Sequence, residues 1–302
     1  MKYLTTYILA VSLLILSGCE TLDIITDLST TVGVATGQIT QTEADSIKKS
    51  SSAISKAFDK LTPEQEYYVG RSVAASILSS YKPYDNQAAN QYLNTIGQAL
   101  ALSSDMPETF GGWHFLIMDT DEINAFSAPG GLIMISRGML RCCKNETEVA
   151  AVLAHEIGHV QHQHGLRAIK KSRWTGALTT TLAEGAKNLG SEELAELTTA
   201  FEGSISDITS TMVNSGYARK LESEADATAI IIMKRVGYNP NGLKNMLLEM
   251  GKNLSHDKRG FAKTHPAPSD RIDDITPLLE ACGPITTQIQ RTARFKKALG
   301  NI

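Results

Sequence analysis

The sequence predicts a mainly α protein of the α+β class, with one small β-sheet beside a central helix. Three observations carry that expectation. Apolar residues recur at helical spacing over most of the chain after residue 60. The block from Trp113 to Ser136 instead holds short apolar runs broken by Pro129-Gly130-Gly131. The best-formed helical stretch, around Val149 to Val160, follows that block directly. In order, residues 63–81 and 86–103 read as helices. Trp113 to Asp119, Ile123 to Ala128 and Leu132 to Ser136 read as strands, and the last flows into a helix from Arg137 to Cys142. Asn145 followed by Glu148 has the form of a capping box. Val149, Val152, Leu153, Ile157 and Val160 then form an apolar stripe on a half-buried helix that Gly165 is expected to stop. Residues 166–215 read as mostly helical. A further helix runs to Val236, closed by Gly237, and Pro240 to Met250 forms another.

The chain has 302 residues, 42% of them hydrophobic, and a net charge of −3. That charge, with no basic run, argues against a nucleic-acid partner. Lys2 and the apolar stretch Tyr7 to Leu16 have the form of a signal peptide, too short to span a membrane comfortably. Leu16-Ser17-Gly18-Cys19 reads as a bacterial lipobox, so Cys19 is expected to be lipidated and to become the first residue after cleavage. The competing reading is an ordinary signal peptide with an incidental cysteine. Several acyl chains on one residue hold a protein at a membrane stably, each buried CH₂ contributing ~0.8 kcal/mol. Glu20 is not the aspartate that retains lipoproteins at the inner membrane of enteric bacteria, so the expected location is the periplasmic face of a Gram-negative outer membrane. The expected organisation is a signal peptide over 1–18, a Thr/Ser/Gly-rich tether over 19–60 and one domain over 61–302. Cys282 can pair with Cys142 or Cys143, or all three can remain thiols.

His155-Glu156-Ile157-Gly158-His159 carries the chemistry. Residues at i and i+4 share a helix face, so both imidazoles can reach one metal ion. Glu156 lies about 100° round the helix from His155 and can lean over an open coordination position without being a ligand. Metal-assisted hydrolysis needs these parts: a Lewis-acidic Zn²⁺ and a base for the attacking water. A catalytic zinc takes three protein ligands. A third histidine at position 165 is excluded, because Gly165 stands there. Glu222 and Asp226 share a face of a second helix, so Glu222 can bind metal while Asp226 fixes a ligand imidazole. Taken alone, that segment reads equally as a solvated acidic face. Glu224 points elsewhere, and His162 and His164 are expected to face solvent.

Together these motifs resemble the peptidase family of HtpX and the CAAX prenyl proteases. Leu61-Thr62-Pro63-Glu64-Gln65-Glu66, Asn124-Ala125-Phe126, the His155 helix, Glu222-Ser223-Glu224-Ala225-Asp226 and His265-Pro266-Ala267-Pro268-Ser269-Asp270-Arg271 occur in the family's order. The likeness covers roughly residues 60–280. With no later apolar span, the chain is most similar to the soluble periplasmic branch. Its end at residue 302 gives the expectation that the helical-repeat tail of some members is lacking.

The resemblance implies a zincin-like domain, one zinc ion at His155, His159 and Glu222, and Glu156 as general base. It also implies an acid role for Asp226 and a place for His265 over the metal, as fourth ligand or oxyanion stabiliser. Arg271 is expected to steady the His265 loop or pair with a carboxylate, and Tyr217 is a candidate donor to the oxyanion. Zincin proteases commonly hold substrate as a strand added to a sheet edge above the metal, and Asn124-Ala125-Phe126 is the family's motif at this place, so a substrate role is expected there; the plainer reading is a hairpin strand with a solvated edge. The implied activity is metalloendopeptidase cleavage of misfolded or misassembled envelope proteins, in contact with outer-membrane assembly machinery. The main rival is a chaperone-like assembly factor that binds unfolded clients with rare cleavage. A structural lipoprotein with a closed four-ligand zinc is the third possibility.

Overall fold

The computed structural model describes residues 62–168, 203, 205–254, 265–279 and 289–302. The chain divides into two compact units, Met1–Leu61 with Lys170–Gly203, and Thr62–Ile169 with Ser204–Ile302. All elements below belong to the second. The signal peptide, Cys19, the tether and Cys282 lie outside the described residues, as does most of 166–215.

Two helices come first, α1 (Pro63–Ser80) and α2 (Gln87–Leu102). Thr62 caps α1 in a full box with Gln65, and Pro63 sits in the first turn, where its missing N–H costs nothing. Asn86 caps α2 by accepting from Ala89 N–H at 3.0 Å. Three strands follow, β1 (His114–Met118), β2 (Ala125–Ala128) and β3 (Leu132–Ser136), in the order β1-β3-β2. β1 runs parallel to β3 and β2 antiparallel to it. The second strand therefore starts at Ala125, two residues later than expected. Asn124 N–H bonds the Ser136 hydroxyl at 3.0 Å, and that same oxygen caps the next helix by accepting from Met139 N–H at 3.0 Å.

The two sheet edges differ. Along β1, amide side chains at helical spacing on α2 stand in for a missing strand. Asn90 accepts from Ile117 N–H at 2.9 Å, Asn94 bonds both backbone groups of Phe115, and Gln98 donates to Trp113 C=O. That edge is satisfied. The outer edge of β2 has no such cover among the described residues and faces the cleft described below.

α3 (Arg137–Cys142) leads into α4 (Glu146–Gln161), which carries His155, Glu156 and His159. The Asn145 cap accepts from Glu148 N–H at 3.1 Å, but the Glu148 carboxylate returns to Lys144 N–H, one residue earlier than a standard box. α4 is not half-buried as expected: every residue from Glu146 to Val160 is buried. Its small residues, Ala150, Ala151, Ala154 and Gly158, let neighbours close in on the face opposite the apolar stripe. Its first residue, Glu146, is itself buried and is held by Tyr92 and Tyr238 hydroxyls at 3.2 and 2.8 Å and by Arg294. Nor does Gly165 stop the helix. α4 ends at Gln161, and the chain turns at Gln163 in the left-handed region, φ 54°, before the single turn α5 (His164–Arg167).

After a π-helical turn at Thr211–Ser215 come α6 (Arg219–Val236), α7 (Asn241–Leu254), α8 (Pro268–Leu279) and α9 (Ile289–Leu299). Gly237, at φ 80°, closes α6, with Tyr238 N–H reaching Met233 C=O at 2.8 Å. Cys142 and Cys143 are buried free thiols. Among the described residues no helix is long and apolar enough to cross a membrane.

α4 and α6 cross at Gly158. A Cβ added there would lie 3.0 Å from Ala225 O and 3.1 Å from Ala225 Cα. This contact sets Glu222 and Asp226 level with the histidines. Gly158→Val is expected to push the helices apart, destabilise the fold by about 1–3 kcal/mol and weaken metal binding. Unfolding midpoints and metal titration of the purified variant would check this; wild-type values in both would contradict it.

Candidate active site

Four side chains from three segments converge. His155 and His159 come from α4, Glu222 from α6, and His265 from the turn before α8; their ligand atoms lie within 4.8 Å of one another. His155 Nε2 is 3.0 Å from His159 Nε2. Glu222 Oε2 is 3.5 Å from the first and Glu222 Oε1 is 3.4 Å from the second. A tetrahedral zinc with bonds near 2.0–2.1 Å places neighbouring ligand atoms roughly 3.3 Å apart. The triangle thus has the size of one face of such a site, and its donor set of two imidazoles and a carboxylate suits zinc. His265 Nδ1 bonds Glu222 Oε2 at 2.7 Å and so stands at the fourth side.

Behind this triangle the support is charged and buried. Asp226 Oδ1 is 2.8 Å from His155 Nδ1. A carboxylate only accepts, so Nδ1 carries a proton and Nε2 is the nitrogen turned to the cluster. Arg271, 2% exposed, grips Asp226 with two hydrogen bonds of 2.9 and 2.6 Å. Burial would raise the Asp226 pKa, but Arg271 and His155 hold it well below the usual carboxylate range. Glu222 behaves alike: burial raises it, and the imidazoles of His265 and His159 more than reverse the effect. Burial and Arg271 work against protonation of His155, yet Asp226 and Glu222 outweigh both and hold it near 9. Arg271 pairs with a carboxylate, one of the two roles expected of it.

Glu156 takes no part in the triangle. It lines a cleft together with Ala125, Phe126, Ser127, Met212, Gly216, Tyr217 and His265. Its Oε1 is buried and has no hydrogen-bond partner, and the same holds for the Tyr217 hydroxyl. Tyr217 stacks on His159 with ring centroids 4.6 Å apart. Two polar groups thus sit unspent at one cleft, an arrangement that stable cores avoid and reactive sites use.

One expectation about the surroundings is overturned. His164 does not face solvent; it is fully buried, and its Nδ1 is 2.8 Å from His159 Nδ1. Burial and the neighbouring His159 lower its pKa to about 4. His162 is partly buried and bonds Thr228 through Nε2 at 2.8 Å. Glu224 does stay out of the triangle, as expected, but it reaches His164 Nε2 at 3.0 Å. The left-handed turn at Gln163 makes this possible, and helical spacing gave no hint of it.

Two helices that bring a His-Glu-x-x-His pair against a glutamate, with a free carboxylate beside a sheet edge that no described strand pairs with, define a site of the metallopeptidase class. A family model described as Peptidase family M48 matches residues 87–278, well over half the chain. The chain belongs to peptidase family M48. It is 26% identical over 264 residues to the Beta-barrel assembly-enhancing protease of Escherichia coli strain K12, covering 87% of this chain and 53% of that protein. It is 30% identical over 244 residues to the protein of the same name from Yersinia pestis, covering 77% and 46%. It is 26% identical over 162 residues to Metalloprotease LoiP of Escherichia coli strain K12, covering 54% and 61%. The chain spans about half the length of the first two relatives.

Proposed function

We propose that the chain is a zinc-dependent metalloendopeptidase, anchored through Cys19 to the outer membrane, that hydrolyses misfolded or misassembled envelope proteins. The observation that carries the chemistry is the triangle of His155, His159 and Glu222 with Glu156 unpaired beside it. Those three residues would hold one zinc ion, which supplies Lewis acidity to water and to the scissile carbonyl when bound. Glu156 takes the proton of the attacking water and returns it to the leaving amine. Tyr217 donates its unused hydroxyl proton to the developing oxyanion. Asp226, locked by Arg271, holds His155 in its working tautomer. An extended substrate adds to the open edge of β2. Ser136 N–H bonds Asn124 C=O, and ladder pairing alternates, so Phe126 and Ala128 pair toward β3 while Ala125 and Ser127 turn their backbone groups outward. Asn124 Oδ1 occupies the Ala125 N–H at 3.0 Å. Backbone pairing of this kind suits unfolded clients of varied sequence. The relatives named Beta-barrel assembly-enhancing protease support a role beside the assembly of β-barrel proteins, which fits the proposed envelope clients.

His265 supplies a resting state. Its hydrogen bond to Glu222 places it where a substrate carbonyl would approach, so it must swing aside for turnover. Cleavage of casein by a soluble form starting after Cys19 tests both parts, with zinc content measured on the same samples. Chelation is expected to abolish cleavage and zinc addition to restore it. His265→Ala is expected to raise the rate several-fold with zinc retained. One zinc per chain with no cleavage by either form would favour the client-binding factor, and absence of zinc would sink the site assignment.

A further inference from the structure

The two imidazoles of the triangle are held from behind by different means. His155 leans directly on the carboxylate of Asp226. His159 has no carboxylate at its Nδ1; it meets the fully buried ring of His164 instead. We propose that His164 is a positioning residue for His159, acting through a buried imidazole–imidazole–carboxylate relay that ends at Glu224.

The hydrogen bonds allow one consistent pattern. Glu224 Oε2 lies 3.0 Å from His164 Nε2. A carboxylate only accepts, so the His164 proton sits on Nε2. Arg167 at 3.2 Å from the same oxygen and His162 Nδ1 at 3.4 Å from Oε1 hold that carboxylate in place. With its proton on Nε2, the neutral His164 ring presents a lone pair at Nδ1. The 2.8 Å contact to His159 Nδ1 must then be a hydrogen bond donated by His159. That places the His159 lone pair on Nε2, the nitrogen 3.4 Å from Glu222 Oε1 and 3.0 Å from His155 Nε2. The reverse polarity would require a protonated His164 ring at zero exposure and would aim an N–H into the triangle, where it would repel a cation. The tautomer that can ligate a metal is therefore set two residues away, by a glutamate at the rim. Tyr217, stacked on the face of His159, fixes the ring plane while His164 fixes its edge.

The relay rests on the metal-site reading above, and its test separates the two. The probe is Zn²⁺ itself, titrated into the metal-free full-length chain against a chelator of known affinity. His164→Phe keeps the ring volume and removes both nitrogens, and an outer partner of a metal-ligating histidine typically sets 10–100-fold in affinity. Zinc binding is expected to weaken within that range, with a shifted visible spectrum of the Co²⁺-substituted protein. His164→Gln, whose amide oxygen can accept from His159 Nδ1, is expected to recover much of the loss. Glu224→Leu changes only the half-exposed end of the relay, so it keeps the proposal testable if His164→Phe fails to fold; about 10-fold weaker binding is expected. Wild-type zinc affinity and an unchanged Co²⁺ spectrum in His164→Phe, or in Glu224→Leu where that is the variant that folds, would overturn the relay while leaving the metal site standing. A wild-type chain that binds no zinc would overturn the metal site itself, and the relay with it.

Discussion

Glu156→Gln is expected to lower peptide-bond cleavage by about 10²–10⁴-fold, the usual contribution of a general base, with zinc content and unfolding midpoint unchanged. Glu156 is 2% exposed, yet its Oε1 makes no hydrogen bond and faces the cleft beneath the outer edge of β2. A buried carboxylate oxygen without a partner is a cost to the fold that a structural residue would avoid. Glutamine has the same shape and cannot take a proton. It lies outside the triangle, so metal binding should survive. The measurement is kcat for a quenched peptide, beside metal analysis of the same protein. Retained cleavage would remove Glu156 from the mechanism. Loss of cleavage together with loss of zinc would mean that it supports the metal instead.

Arg271→Leu is expected to destabilise the protein by about 3–5 kcal/mol, the range for breaking one half of a buried ion pair. Arg271 and Asp226 are 2% and 0% exposed and joined by two hydrogen bonds. Leucine would leave the Asp226 carboxylate buried with His155 as its remaining partner. Urea unfolding of the metal-free chain at neutral pH would measure the loss. The acid side provides an independent check. Arg271 is the first favourable influence that depresses the Asp226 pKa, against burial. A depressed carboxylate contributes stability that is fully present above its unfolded pKa, about 3.9, and is lost as pH falls toward the folded value. In Arg271→Leu that contribution shrinks, so stability should fall less steeply below about pH 4 than in wild type. An unchanged neutral stability would show that the site tolerates an unpaired Asp226, and an unchanged acid slope would show that Arg271 does not set its ionisation.

Elements start and end where expected wherever a local signal acts. Arg137–Cys142 begins and ends as anticipated, and Gly237 closes α6, because a cap or a left-handed glycine acts within a few residues. The end of α4 was misplaced for a reason of the same scale. Gln163 adopts the left-handed turn that a glycine was expected to supply, while Gly165 packs against Pro129 and Tyr217. α4 is buried on every side rather than half-buried, because alanine and glycine give no strong apolar signal in sequence yet permit close approach.

By itself the sequence determined the mainly α class, the His155–Glu156–His159 face and the pairing of Glu222 with Asp226 on one helix. Each follows from spacing along one element, where 3.6 residues per turn or one cap decides the outcome. Only the tertiary structure decided that His164 is buried behind His159, that Arg271 locks Asp226, and that α2 amides close one sheet edge while no described strand pairs with the outer edge of β2. Those contacts join residues far apart in sequence or on opposite sides of a turn. The close approach of α4 and α6 at Gly158 is likewise set by packing, and it brings Glu222 and Asp226 level with the histidines.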